Sequence, residues 1–190
     1  MILCPVIDNI MKFNNIEKLV YNGFMAFYIG MIIFYLLIIK PLFINKNLLG
    51  KEVGNMMKEY YTLNNAMKVA GIDVVFILLY LVITFLVYKK IEKILPIEYS
   101  SIKFLIVLLL VVITVDLIIG LLINTIDYKS NTLEFFRRWG KVAGFKSIFF
   151  DCLLLITIYL VMLLLIKFEL NTKWHFTGLL ILILLFFFSI

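Results

Sequence analysis

The chain has 190 residues, 64% hydrophobic and 16% charged, with a net charge of +6 and a mean hydropathy of +1.10. A soluble domain is nearer about 45–50% apolar and about 25% charged. These figures exclude a soluble enzyme, a disordered chain and a nucleic-acid-binding domain.

The N-terminal MILCPVIDNIMKF has no basic region ahead of a long apolar core, so it does not read as a cleaved signal peptide. The first apolar run, Tyr21–Ile39, would then serve as an uncleaved insertion signal. It carries no charge, and Lys40 and Pro41 are expected to stop it. A spanning helix needs about 20 mostly apolar residues. Four more runs approach or pass that length: Ile72–Tyr88, Phe104–Ile126, Ser147–Ile166 and Trp174–Ile190. The last is short and is expected to cross fully, with a half-span as the alternative.

Two connections are more than loops. Lys46–Ala70 places Leu49, Val53, Met56, Tyr60, Leu63 and Met67 at helical spacing, against a face holding Lys51, Lys58 and Lys68. Asn131–Lys146 sets Leu133, Phe136, Trp139 and Val142 against Arg137, Arg138, Lys141 and Lys146. Both periods predict amphipathic helices lying at the membrane surface, apolar face to lipid. Trp139 and Trp174 suit aromatic belts at headgroup level. Basic residues near headgroups gain about 1 kcal/mol each from anionic lipid. The candidate contact residues are therefore Lys51, Lys58, Arg137, Arg138, Trp139, Lys141 and Lys146. The first and third connections hold ten basic residues and the remaining polar segments eight, which leans towards the first and third connections facing the cytoplasm, with the N-terminus outside. Two GxxxG patterns, Gly50–Gly54 and Gly140–Gly144, lie in these polar connections, where turns are the expected role.

The costly residues are acidic. Asp116 is thirteenth in its run, near the bilayer centre, where an ionised carboxylate costs about 2.5–3.5 kcal/mol. Asp116, Gly120, Asn124 and Asp127 share one helical face, and Gly120 would let a neighbouring helix approach closely. The stripe is expected to act as glue between helices, with Thr84, Tyr80, Thr157 or Tyr159 as partners. A proton or cation relay is the alternative. Asp73 and Asp151 sit near the starts of their runs, where capping and interfacial solvation explain them. Asp73, Tyr80 and Thr84 also share a face, which can meet the Asp116 stripe.

His175 is the single histidine, and Cys4 and Cys152 form no CxxC pair, so neither a metal site nor thiol redox chemistry is expected. Cys152 reads as a small buried hydrophobe. No Walker loop, HExxH, GxSxG or TVGYG-like filter occurs. No enzymatic activity and no cofactor are expected.

The region Ile113–Leu154 combines an acidic residue within VDLIIG, Asn131 followed by Phe135-Phe136, a basic segment ending at Gly144, and Asp151 seven residues on. With IDVV at Ile72–Val75, this region resembles small multi-spanning membrane proteins of large nucleocytoplasmic DNA viruses. The resemblance implies a place in the membrane beneath an icosahedral capsid, and it carries no functional residues. Sixteen lysines against two arginines, and twelve asparagines against four alanines, point to an A+T-rich genome, as such viruses often have.

The expectation is one all-α domain, 1–190: a transmembrane bundle of four or five spans with two interfacial helices. Its expected function is structural. It would anchor in a bilayer and grip anionic lipid, and a capsid or scaffold layer, through its basic surface helices. An assembly of several copies is a further expectation. The alternative is an ion channel or proton-coupled transporter using Asp116.

Overall fold

The computed structural model describes residues 16–61, 63–95, 100–123, 125 and 131–168. The fifth apolar run, with Trp174 and His175, lies outside them, as do Cys4, Asn124 and Asp127. Every regular element among the described residues is a helix. In chain order these are α1 (Ile16–Phe34), α2 (Lys51–Tyr60), α3 (Leu63–Ile94), α4 (Ser101–Leu122), α5 (Asn131–Ala143) and α6 (Phe145–Phe168).

Among the described residues, four segments are long and apolar enough to cross a bilayer: Leu19–Asn45, Asp73–Ile94, Ser101–Leu122 and Phe145–Lys167. This is a multi-pass, membrane-embedded helix bundle. The outward face of α4 shows why it needs lipid. Ile102, Ile106, Leu110, Ile113, Leu117 and Leu121 recur at steps of three and four and are all exposed. Phe104, Leu108 and Val112 point the other way and are buried. A stripe that apolar is untenable in water and costs nothing in hydrocarbon.

The spans form a ring, α1 beside α3, α3 beside α4, α4 beside α6, and α6 back against α1. The α1–α6 seam is the closest. A Cβ on Gly30 would lie 3.1 Å from the Ile158 Cα, so only glycine permits that approach. Leu19, Phe27, Leu81, Leu108, Leu155, Ile158 and Met162 fill the centre.

Several boundaries differ from expectation. Lys40 and Pro41 do not end the first span. The helix continues from Tyr35 to Asn45 with its hydrogen bonds widened to the i→i+5 register, and Pro41 lies inside it. Pro lacks only its own N–H, and a widened turn relieves its ring of the usual clash with the preceding turn. The surface helix expected over Lys46–Ala70 is two elements. Only Lys51–Tyr60 stands alone, and from Leu63 onward the chain is one helix with the second span. The helix of span three runs Ser101–Leu122 and carries Asp116 and Gly120 of the stripe, whereas Asn124 and Asp127 lie outside the described residues.

The amphipathic pattern of the two short helices was real, but its target was not lipid. Val53, Met56 and Met57 of α2 are buried, as are Phe135 and Ala143 of α5. Trp139 packs against the bundle with its ring centroid 5.6 Å from that of Phe150. Both helices cover one end of the bundle. Of the two glycine patterns, Gly50 (φ 105°) and Gly144 (φ 52°) act at turns, opening α2 and closing α5, whereas Gly54 and Gly140 lie inside those helices.

Candidate functional site: an acidic chamber among the spans

The covering helices and the spans line a half-open cavity of about 630 Å³. Its walls come from every helix: Phe34 from α1, Tyr60 from α2, Asp73, Phe76 and Tyr80 from α3, Asp116 and Gly120 from α4, Phe135 and Trp139 from α5, Phe150 and Asp151 from α6. The lining is aromatic and aliphatic apart from three carboxyls and a few hydroxyls.

Antiparallel helices bring the carboxyls to one depth. Asp116 lies six residues before the end of α4, and Asp151 six residues after the start of α6. At about 1.5 Å per residue, each is about 9 Å from its helix end. Both therefore lie nearer the covered end than the midpoint of their helices. Asp73 is the eleventh residue of α3 and Asp151 the seventh of α6, so neither caps a helix. Their position at span starts is a property of hydropathy alone.

Tyrosines hold the cluster. The Tyr80 hydroxyl donates to Asp116 Oδ1 at 2.5 Å. The Tyr60 hydroxyl donates to Asp73 Oδ2. Asp116 Oδ2 is sealed from solvent and receives no N–H or O–H donor among the described residues. Asp151 lines the same cavity. Among the described residues no basic side chain forms an ion pair with any of the three. Burial and the Asp73 charge push the Tyr60 phenol well above its ordinary range, so it is a proton donor at any physiological pH.

Of the partners expected for Asp116, only Tyr80 is one. Tyr159 donates to the Ser101 carbonyl at 2.9 Å, and Thr157 to the Leu153 carbonyl. Thr84 is buried with its Oγ1 unpaired among the described residues, eleven residues further along α3 from Asp73. Gly120 receives no close helix. A Cβ there would have nothing within 4 Å. Cys152 is half-buried against the core. No metal-holding group of three or more His, Cys, Asp or Glu occurs among the described residues.

The basic residues divide. Arg138 grips Glu59 with both guanidinium nitrogens, at 2.5 and 3.2 Å, tying α5 to α2. Arg137 Nε donates to the Ile123 carbonyl at 3.1 Å, and Lys146 Nζ to the Leu49 carbonyl at 3.1 Å. The first joins the two covering helices, and the other two tie the cover to the spans. Lys51, Lys58 and Lys141 are exposed. The Glu59–Arg138 and Leu49–Lys146 contacts put the first and third connections on the same side, as crossing spans require. Tyr60 and Phe135 were missed from the sequence. The signal available for Tyr60 was its place on the apolar face of α2.

No family model, no curated protein and no solved structure matches the chain.

Proposed function

We propose that this membrane protein works through its acidic chamber, and that the chamber takes a positively charged guest. The observation that carries this is the meeting of Asp73, Asp116 and Asp151, from three spanning helices, in one cavity without a basic partner among the described residues. Beyond the cluster the bundle centre is closed by Leu81, Leu108, Val112, Leu155 and Ile158, all fully buried. That apolar plug favours a pocket or carrier site over an open pore, and it narrows the role foreseen for Asp116. Calorimetric titration in nanodiscs with sodium, calcium, choline and an alkylamine tests it. At least one should bind the wild type, and binding should fall at least tenfold when Asp73, Asp116 and Asp151 are all replaced by Asn. No Asp-dependent binding to any of them would overturn the proposal.

A second reading is supported by Lys51, Lys58 and Lys141, which stay exposed on the covered end. On that reading the covered end rests on anionic headgroups and anchors an overlying layer, as the viral resemblance implies. Charge reversal at the three lysines should then weaken association with anionic vesicles.

A further inference from the structure

We infer that the guest is an amphiphilic organic cation, an ammonium head on an apolar tail, which enters sideways from the lipid leaflet past Gly120. This rests on the chamber reading above and names its substrate class and its route.

Size comes first. A cavity of about 630 Å³ falls within the range of drug-sized ligand sites, about 300–1,000 Å³, and is far larger than a bare metal ion requires. The lining comes second. Outside the carboxyls and hydroxyls it is apolar, so a small hydrated ion would leave most of the wall facing water. An amphiphile lays its tail there. The aromatic rings of Tyr60, Phe76, Tyr80 and Trp139 surround the same space. Aromatic faces attract ammonium groups, and quaternary ammonium most of all. The head has a defined target in the carboxyls of Asp73, Asp116 and Asp151, which line the same cavity with no basic partner among the described residues.

The route follows from α4. Gly120 lines the chamber and is itself exposed, with open space where a side chain would project. Leu117 and Leu121 beside it are exposed on the outward apolar stripe. The chamber wall is thus thinnest where it meets lipid, near the interfacial end of the helix, where a membrane-dissolved ammonium head would travel.

The test uses the full chain in nanodiscs. Trp174→Phe leaves Trp139, in the chamber wall, as the single tryptophan, and its fluorescence reports binding. The probes are decyltrimethylammonium below its micelle concentration, choline, and neutral decyl maltoside. Decyltrimethylammonium should bind at least tenfold more tightly than either of the others. Asp116→Asn, and separately Asp151→Asn should the first not fold, should lower its affinity at least tenfold. Gly120→Trp should slow its association at least fivefold, while Leu121→Trp, one residue along the lipid-facing surface, leaves the rate unchanged. Asp-dependent binding of choline as tight as that of decyltrimethylammonium would overturn the amphiphile inference and leave the cation chamber standing. Equal binding of decyl maltoside, indifferent to the aspartates, would overturn both. An unchanged rate in Gly120→Trp would overturn the lateral route.

Discussion

Replacing Gly30 with Ala should destabilise the bundle, whereas the same change at Gly120 should not. At Gly30 a Cβ would lie 2.7 Å from Ile158 Cγ1 and 3.1 Å from Ile158 Cα. Carbon atoms in good contact sit about 3.5–4.0 Å apart. The Ile158 side chain can turn away, but its Cα belongs to the α6 backbone, so the two spans must separate. Overpacking of this kind costs about 1–3 kcal/mol. Alanine recovers about 0.5–1 kcal/mol of helix preference over glycine. The net loss is then about 0–2.5 kcal/mol. At Gly120 nothing lies within 4 Å, so only the helix term acts, and stability should hold or rise slightly. Reversible unfolding in mixed micelles, followed by far-ultraviolet circular dichroism against dodecyl sulfate fraction, measures both. A Gly30→Ala protein as stable as wild type beside a weakened Gly120→Ala protein would refute the packing assigned to the α1–α6 seam.

Two further outcomes are expected. The Arg138–Glu59 pair joins the covering helices, but its side chains are 48% and 37% exposed, so solvent screens it. A double-mutant cycle with Ala at both positions should give a coupling of about 1 kcal/mol or less, and a value above about 2 kcal/mol would mean the pair is shielded from water. Tyr61 is buried, and burial raises its phenol above the ordinary value of 10.0. The folded state then keeps this proton at a pH where the unfolded chain has lost it. Stability is therefore unaffected by this group below pH 10 and falls as pH rises beyond it, by up to about 1.4 kcal/mol per pH unit. Tyr61→Phe should flatten the alkaline decline in the thermal midpoint between pH 9.5 and 11, and equal slopes in the two proteins would argue against the burial of this phenol.

The four described spans were legible because the bilayer imposes a length and a composition that a 19-residue run without charge, Tyr21–Ile39, cannot hide. The chamber was only half legible. The shared face of Asp73 and Tyr80 and its meeting with Asp116 followed from helical spacing, and Tyr80 does bond Asp116. Asp151 looked like an interfacial residue because hydropathy marks where a span begins to be apolar, not where its helix begins. The helix starts at Phe145, which sinks Asp151 to the depth of Asp116 on the antiparallel neighbour. The faces of α2 and α5 misled for a different reason. An amphipathic period says that one side seeks an apolar surface, and lipid and a bundle end satisfy it equally. Phe135 and Trp139 chose the bundle. Proline misled through a rule about ordinary α-helices, which a widened helical turn escapes.

The energetics of the cluster favour a guest over mere glue. Ionised carboxyls among the spans are costly to insert, by up to about 2.5–3.5 kcal/mol each at a helix centre and less towards its end. The hydrogen bonds that Tyr60 and Tyr80 donate return about 0.6–1.7 kcal/mol each in a membrane interior. Glue alone would be better served by one carboxyl and its tyrosine, since the second and third add charge faster than they add partners. The remaining imbalance is removed by protons or by a cation, and a chamber wide enough for an ammonium head with its tail offers room for the latter. Tyr60 links the two ends of this arrangement. It belongs to the covering helix α2 yet bonds Asp73 of α3, so one hydrogen bond joins the cover to the acidic cluster.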